Sequence, residues 1–152
     1  MIYPPIDSRL FVKNRQRFSK QLKQNAIAIF NANDVMPTSA DGAHPFIQQT
    51  DIFYLSGIDQ EETVLVICPD APDKKQKEIL FVRETNEQIA IWEGHKFSKA
   101  EAQEISGIHT VHWISELNTI LRPLIIESEH IYLNANEHLR APDIVETRDM
   151  RF

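Results

Sequence analysis

The chain has 152 residues, a length that suits one domain built around one hydrophobic core. Hydrophobic residues make up 42% and charged residues 25%, which is ordinary for a globular protein and argues against intrinsic disorder. The formal net charge of −6 argues against nucleic acid as a partner of the surface as a whole.

The first predicted element is a helix that begins at Asp7 or Ser8, either of which can cap it, and reaches about Lys23. The residues predicted for its buried stripe are Phe11, Phe18 and Leu22. Asp7 is the only acidic residue among the first 24, and we expect the cations there to form a solvated helix face. A docking surface for an acidic partner is the alternative. The cations are Arg9, Lys13, Arg15, Arg17, Lys20 and Lys23.

The next segments alternate between apolar runs and turn-forming residues. Residues 26–30 predict a buried strand, and residues 31–45 predict a long loop because Asn, Asp, Ser, Gly and Pro follow one another closely. Residues 50–57 fit either a buried strand or a short helix. We favour the helix, because Thr50 can cap it and Gly57 can end it in the left-handed conformation.

The middle of the chain predicts a β-hairpin. Residues 63–68 are rich in β-branched side chains and predict one strand, and residues 78–83 predict the strand that returns after an exposed turn. Cys68 closes the first apolar run, so we expect a buried thiol at a strand end. Residues 88–92 predict a further strand that ends near Gly94.

The last third of the chain predicts strands and helices in alternation. Ser98 and Glu101 have the spacing of a capping box, so a helix should begin there and stop at Gly107. Residues 109–113 and 130–134 predict strands.

A second helix lies between those two strands. Ser115 is expected to cap it, and it should run through Leu121, with a kink or an early end caused by Pro123. The residues predicted for its apolar stripe are Leu117, Ile120, Leu121 and Leu124.

These elements place the protein in the α/β class. Both hairpin and crossover connections are present, which predicts a mixed sheet of about six strands flanked by helices. All of the predicted elements lie within residues 1–135, which we expect to form the domain. Residues 136–152 are polar with scattered apolar side chains, and we expect them to be a linker toward a missing C-terminal domain.

The single cysteine and the apolar runs bear on where the protein resides. Cys68 has no second cysteine to pair with, so an intrachain disulfide is impossible, which fits a reducing compartment. No stretch approaches the length of a membrane span, and the N-terminus lacks the charged-then-apolar pattern of a secretion signal. The simplest prediction is cytoplasmic residence without a membrane partner.

Catalytic chemistry finds little support in the residue patterns. His109 and His112 are three apart on a predicted strand and should point to opposite faces, which argues against a shared metal. Glu61 and Glu62 follow a turn and are expected to be solvated rather than catalytic. Asp51 is expected to pair with backbone N–H groups at a helix start. No glycine-rich phosphate loop, HExxH or G-x-S-x-G motif occurs.

Two stretches nevertheless resemble a known family. Residues 39–58 include the sequence HPFIQQTDIFYLSGI and lead into the apolar run at 63–67. They resemble the (Tyr/His)-Pro-Phe-x-Gln-x-(Ser/Thr)-Asp-Phe-x-Tyr-(Leu/Phe)-(Ser/Thr)-Gly pattern of the aminopeptidase P N-terminal domain. Residues 91–97, IWEGHKF, are similar to that family's Ile-Trp-x-Gly segment. The match runs in order from Pro4 to about Asn134.

This resemblance implies the fold of the creatinase and aminopeptidase P N-terminal domains, here in the non-catalytic domain of a Xaa-Pro aminopeptidase. Such metallopeptidases release the N-terminal residue that precedes proline. They use two divalent metals, usually manganese, bound in a C-terminal catalytic domain, so no catalytic or metal-binding residue is transferred to this chain.

The same resemblance implies partners and site residues. The N-terminal domain in such enzymes helps to form oligomers and walls the active-site entrance. The implied partners are therefore the chain's own catalytic domain, further copies of the protein, and peptides with proline at the second position. Trp92 would reach the cleft of a neighbouring subunit, and Asp41 would lie near a similar junction.

Other interpretations of these residues and of the domain stay open. By position alone, Trp92 is a core or edge residue, Asp41 belongs to an ordinary turn, and Phe53 and Tyr54 belong to the core. Related domains in histone-chaperone subunits have lost peptidase chemistry and serve as protein-binding modules. The creatinase and prolidase branches differ in substrate, and the pattern in residues 48–57 favours aminopeptidase P over them.

Overall fold

The computed structural model of the chain describes residues 5–40, 42–86, 91 and 94–134. These residues form the strands β1 (Ala26–Asn31), β2 (Val64–Ile67), β3 (Glu78–Val82), β4 (Thr110–Trp113) and β5 (His130–Leu133). The α-helices among them are α1 (Ser8–Ser19), α2 (Thr50–Ser56), α3 (Lys99–Ser106) and α4 (Leu117–Glu127). Single 3-10 turns cover Lys74–Gln76 and Ile114–Glu116. None of the helices in the described ranges has the length and apolar character needed to cross a membrane.

The strands form one mixed sheet in the order β4-β3-β2-β1-β5. β2 pairs antiparallel with both β1 and β3, whereas β5 runs parallel to β1 and β4 runs parallel to β3. The α/β class, the mixed sheet and the central hairpin are therefore confirmed.

The predicted count of six strands is wrong, because the described residues form a sheet of five. The sixth strand was predicted at residues 88–92, of which the structure describes Ile91. The Ile91 backbone is helical and its side chain is exposed. The rest of that segment lies outside the described residues. A short apolar run has no periodicity that separates a strand from a turn of helix, which explains the error.

Helices cover both faces of the sheet. Ala28 and Phe30 of β1 lie on the face that packs against α2 and α3, together with partly buried side chains of α1. Ile27 and Ile29 lie on the opposite face, which packs against α4. Alternate residues of a strand point to opposite faces, so β2 is buried at every position, and its sequence is apolar without alternation.

The first helix departs from its prediction at one end and at one residue. Asp7 caps α1 as predicted, since its Oδ1 accepts a hydrogen bond from Arg9 N at 2.9 Å. The helix ends at Ser19 instead of continuing to Lys23. Arg15, predicted on the solvated face, is buried with 0% of its surface exposed.

The last helix also corrects a prediction. A 3-10 turn precedes α4, and Ser115 does not cap it. The helix passes through Pro123 and ends at Glu127, so the predicted early end is wrong. Proline removes one backbone hydrogen bond, but Leu124 is buried and the predicted apolar stripe packs on the sheet. This packing outweighs the lost bond.

Candidate interaction surface at the polar end of the sheet

Four strands meet at one end of the sheet. The register pairs Asn31 of β1 with Val64 of β2, and it pairs Val82 of β3 with Trp113 of β4. Val64 in turn pairs with Phe81, one residue before the end of β3. We call this region the polar end, after the side chains that collect there: Gln60, Glu61, Glu62, Arg83 and Lys96.

Glu61 is the centre of this cluster. Its carboxylate is in ion-pair contact with Lys96 Nζ and lies 3.2 Å from Arg83 Nη1. The side chains of Glu61 and Lys96 keep only 11% and 15% of their surface exposed. The prediction that Glu61 is solvated is therefore wrong, because two cations compensate the burial of its charge. Glu62 is exposed, as predicted, and lies 3.7 Å from Arg83.

The charge state of Glu61 follows from these neighbours. Burial alone would raise the pKa of the Glu61 carboxyl. The hydrogen bond and charge of Lys96, together with the charge of Arg83, outweigh burial and hold the pKa below its ordinary value of 4.5. Glu61 is therefore a carboxylate at neutral pH, which makes it an anchor for cations rather than a general acid.

We expect this ion pair to make the fold more sensitive to acid. Because the folded-state pKa of Glu61 is lowered, its contribution to stability is complete above the unfolded-state value and is lost as the pH falls through the folded-state value. The unfolding free energies of wild type and Glu61→Gln should differ by a constant amount above about pH 5, and the difference should shrink below about pH 4. A difference that grows in acid would contradict this assignment.

Hydrogen bonds from glutamines hold together the first stretch that resembles aminopeptidase P. Gln48 Nε2 donates to the carbonyl oxygens of Ile58 at 3.0 Å and Gln60 at 2.9 Å, which fastens the turn after α2. Gln60 Oε1 accepts a hydrogen bond from Phe97 N at 2.7 Å. The two stretches that carry the resemblance thus meet at the polar end, and these glutamines support the backbone.

The cap of α2 differs from its prediction. The Oε1 atom of Gln49 accepts from Asp51 N at 2.7 Å and Ile52 N at 3.0 Å, so Gln49 caps the helix in place of Thr50. Asp51 does not bind the backbone N–H groups; its Oδ2 accepts from Gln49 Nε2 at 3.0 Å. Gly57 ends the helix with a φ of 72°, as predicted.

The two aromatic residues of α2 lie closer to solvent than predicted. Tyr54 is 54% exposed and Phe53 is partly buried, so Tyr54 is not a core residue. The apolar run forms a helix with one solvent-exposed face, and consecutive residues of a helix point in different directions. A run of apolar residues therefore did not predict which of them are buried.

A groove opens at the polar end. It has a volume of about 570 Å³ and is lined by residues 31–35 and 61–64. One wall is the start of the long loop, and the other carries Glu61, whose carboxylate also contacts Lys96. The loop and the segment around Lys96 therefore both reach this end of the sheet.

The two site residues implied by the resemblance, Asp41 and Trp92, lie outside the described residues. The residues on either side of Asp41 are described. Pro37 pairs antiparallel with Ala43, and His44 N donates to Met36 O at 2.9 Å, so residues 36–37 lie beside residues 43–44. Residues 33–40 and 42–45 are exposed, which leaves them available for contacts.

His112 and Cys68 are two described residues of types that often perform catalysis. His112 Nδ1 lies 3.3 Å from Glu116 Oε1, and its ring packs near Phe81. Cys68 is buried as predicted, and burial raises the pKa of its thiol, which disfavours the reactive thiolate. Within the described ranges, no group of three or more His, Cys, Asp or Glu side chains could hold a metal ion.

The fold and this surface define an α/β domain that offers grooves and ion pairs for contacts. The chain belongs to the family described as the aminopeptidase P, N-terminal domain, whose model matches residues 11–132.

The individual proteins that this chain resembles are longer than the chain itself. The Xaa-Pro aminopeptidase of Escherichia coli is 28% identical over 140 residues, which are 92% of this chain and 32% of that protein. Intermediate cleaving peptidase 55 of Saccharomyces cerevisiae is 25% identical over 134 residues, covering 86% of this chain and 26% of that protein. The structure of Pseudomonas aeruginosa aminopeptidase PepP superimposes with a TM-score of 0.79 at 25% identity, covering 91% of this chain and 30% of that one. The chain therefore spans about a third or less of the length of these relatives.

Proposed function

We propose that this chain serves as the non-catalytic N-terminal domain of a larger Xaa-Pro aminopeptidase. The observation that carries the proposal is the family match over residues 11–132, which includes both stretches that meet at the polar end. The E. coli relative, a Xaa-Pro aminopeptidase by name, extends far beyond the matched part. Two divalent metals, which we expect to be manganese, would then be bound by a C-terminal catalytic domain. There they would activate water for attack on the bond before proline.

The contribution of this domain would be contact rather than chemistry. We infer that the polar end helps to form the active-site entrance and a junction between subunits of an oligomer. The exposed residues 33–40 and 42–45 and the groove beside Glu61 support this role, because both offer polar groups on an accessible surface. Trp92 would add an apolar contact to a neighbouring subunit, as aromatic side chains commonly do at interfaces.

The first experiment compares the chain with the complete protein. Each is incubated with Mn²⁺ and a peptide that has proline at the second position. We expect metal-dependent release of the first residue by the complete protein and none by the 152-residue chain. Activity of the chain alone would refute the non-catalytic assignment. An inactive complete protein that still binds peptides or proteins would instead favour a binding module.

The role of Trp92 is tested by Trp92→Ala in the complete protein. If Trp92 reaches a neighbour's cleft, KM for longer peptides should rise about threefold to tenfold, the usual scale of one interface aromatic. The melting temperature of the chain should stay nearly constant. A core tryptophan would instead lose about 3–5 kcal/mol of unfolding free energy on truncation, which would remove the support for a contact role.

The proposal also includes cytoplasmic residence. The single cysteine fits a reducing compartment. A relative in Arabidopsis thaliana is named as mitochondrial, so cell fractionation of the complete protein is the appropriate test.

A further inference from the structure

The segment that follows Trp92 is fastened to the polar end at two successive residues. Lys96 forms the ion pair with Glu61, and Phe97 N donates to Gln60 Oε1 at 2.7 Å. The Phe97 ring packs, partly buried, against the face of the sheet that α2 and α3 cover. Immediately afterwards, Ser98 caps α3. The segment therefore has a defined path from Lys96 onward, whereas Gly94, at φ 80°, is exposed.

The ion pair is built differently from an ordinary surface pair. Exposed ion pairs contribute little because water and salt screen them. Both side chains here are mostly buried, so their attraction is screened less. Arg83 also contacts Glu61, so the carboxylate keeps one partner if Lys96 is removed. Loss of Lys96 should therefore release the segment without leaving an unpaired buried charge in the domain.

The bond from Phe97 fixes the orientation of Gln60. Since Phe97 N is a donor, the atom facing it must be the amide oxygen of Gln60. The Nε2 atom of Gln60 is then buried without a hydrogen-bond partner among the described residues. An unsatisfied buried donor weakens the local structure. The hydrogen bond from Phe97 to Gln60 and the adjacent ion pair of Lys96 with Glu61 therefore both act on this segment.

We propose that Glu61 and Lys96 are positioning residues, whose ion pair holds residues 94–98 against the sheet and thereby supports the contact that Trp92 is proposed to make. This inference rests on the proposed function, in which Trp92 contacts a neighbouring subunit. Glu62, adjacent in sequence and near Arg83 but without a contact to Lys96, provides the matched control.

The first test measures amide hydrogen exchange of the full chain, with Phe97 as the reporter and Val66 in the central strand as the reference. In Lys96→Met and in Glu61→Gln, Phe97 should exchange about tenfold faster relative to Val66, as expected for the loss of a charged hydrogen bond. The double variant should exchange no faster than the single ones, because both remove the same interaction. Glu62→Gln should stay within about twofold of wild type.

Two results would overturn the proposal. If Phe97 keeps its wild-type exchange rate in Lys96→Met and Glu61→Gln, the ion pair does not hold the segment. If Phe97 and Val66 accelerate by the same factor, the ion pair acts on global stability and not on position.

The second test links position to activity in the complete protein. Lys96→Met should raise KM for longer peptides about threefold to tenfold and leave kcat within about twofold, because the reacting groups are untouched. If Trp92→Ala raises KM and Lys96→Met does not, the positioning role fails while the contact role of Trp92 stands. If Trp92→Ala itself leaves KM unchanged, the contact role fails, and the exchange experiment alone decides whether the ion pair holds the segment.

Discussion

Replacement of Arg15 by methionine is expected to lower the unfolding free energy of this chain by about 3–5 kcal/mol, because it removes hydrogen bonds to two buried carbonyls and an ion pair with the partly buried Glu78. Arg15 is fully buried in the middle of α1. Its Nη1 donates to Leu55 O at 2.7 Å and Ser106 O at 2.9 Å, and its Nε donates to Glu78 Oε2 at 2.9 Å. These contacts join α1 to α2, α3 and β3.

The reason for the large effect lies in the helix ends that Arg15 joins. Leu55 and Ser106 belong to the last turns of α2 and α3, where carbonyl groups have no partner within the helix and carry partial negative charge. One guanidinium satisfies both. Burial lowers the pKa of Arg15 against the opposing effect of Glu78, but an arginine remains charged in either case. Methionine would fill the space and leave these buried acceptors without donors.

The measurement is denaturant unfolding of the chain, with Arg17→Met as the matched control. Arg17 lies on the exposed face of the same helix, so its replacement should change the free energy by no more than about 0.5 kcal/mol. The unfolding free energy of Arg15→Lys should fall between those of wild type and Arg15→Met. An ammonium keeps the charge but lacks the several fixed N–H donors of the planar guanidinium. A loss below about 1 kcal/mol for Arg15→Met would show that water can replace the guanidinium.

Arg15 also shows what sequence patterns could and could not predict. It lies four residues after Phe11 and three before Phe18, so its spacing places it on the buried stripe. Its charge favoured the solvated face instead, because charged residues are rarely buried without a partner. The partner groups are backbone carbonyls 40 and 91 residues away, which no local pattern reveals. The capping box at Ser98 and Glu101, by contrast, depends on neighbours in sequence and was predicted correctly.

The features of the candidate site also fall into two groups, those set by local sequence and those set by contacts between distant residues. The loop, the short helix and its left-handed stop at Gly57 follow from local turn chemistry, and the structure confirms them. The pairing of Glu61 with Lys96 joins residues 35 apart in sequence, so it could be identified only from the fold. Asp41 and Trp92 were inferred from the family resemblance, lie outside the described residues, and stay predictions.

Replacement of Gly57 by alanine is expected to cost about 2–5 kcal/mol, through two effects at one carbon atom. Gly57 ends α2 with a φ of 72°, a left-handed conformation that costs an L-residue about 1–2 kcal/mol. An added Cβ would also lie closer than 3.0 Å to three atoms of the Phe11 ring. Phe11 is itself buried and packs edge-on against Phe53, so the ring has little room to move. Overpacking of this kind costs about 1–3 kcal/mol.

Gly94→Ala separates the backbone cost from the steric cost, because Gly94 is also left-handed but is not crowded by any atom that the structure describes. Gly94 has a φ of 80°, and among the described residues no atom lies within 4 Å of an added Cβ, so its replacement should cost only the backbone part, about 1–2 kcal/mol. Thermal or denaturant unfolding of both variants measures the difference, which is the steric cost at Phe11. A smaller side chain in Phe11→Leu should reduce the further loss caused by Gly57→Ala, since the two positions are in contact and their effects are not additive. Equal losses for Gly57→Ala and Gly94→Ala would mean that α1 shifts to admit the methyl group, and that the close contact of α1 with the end of α2 adds little to stability.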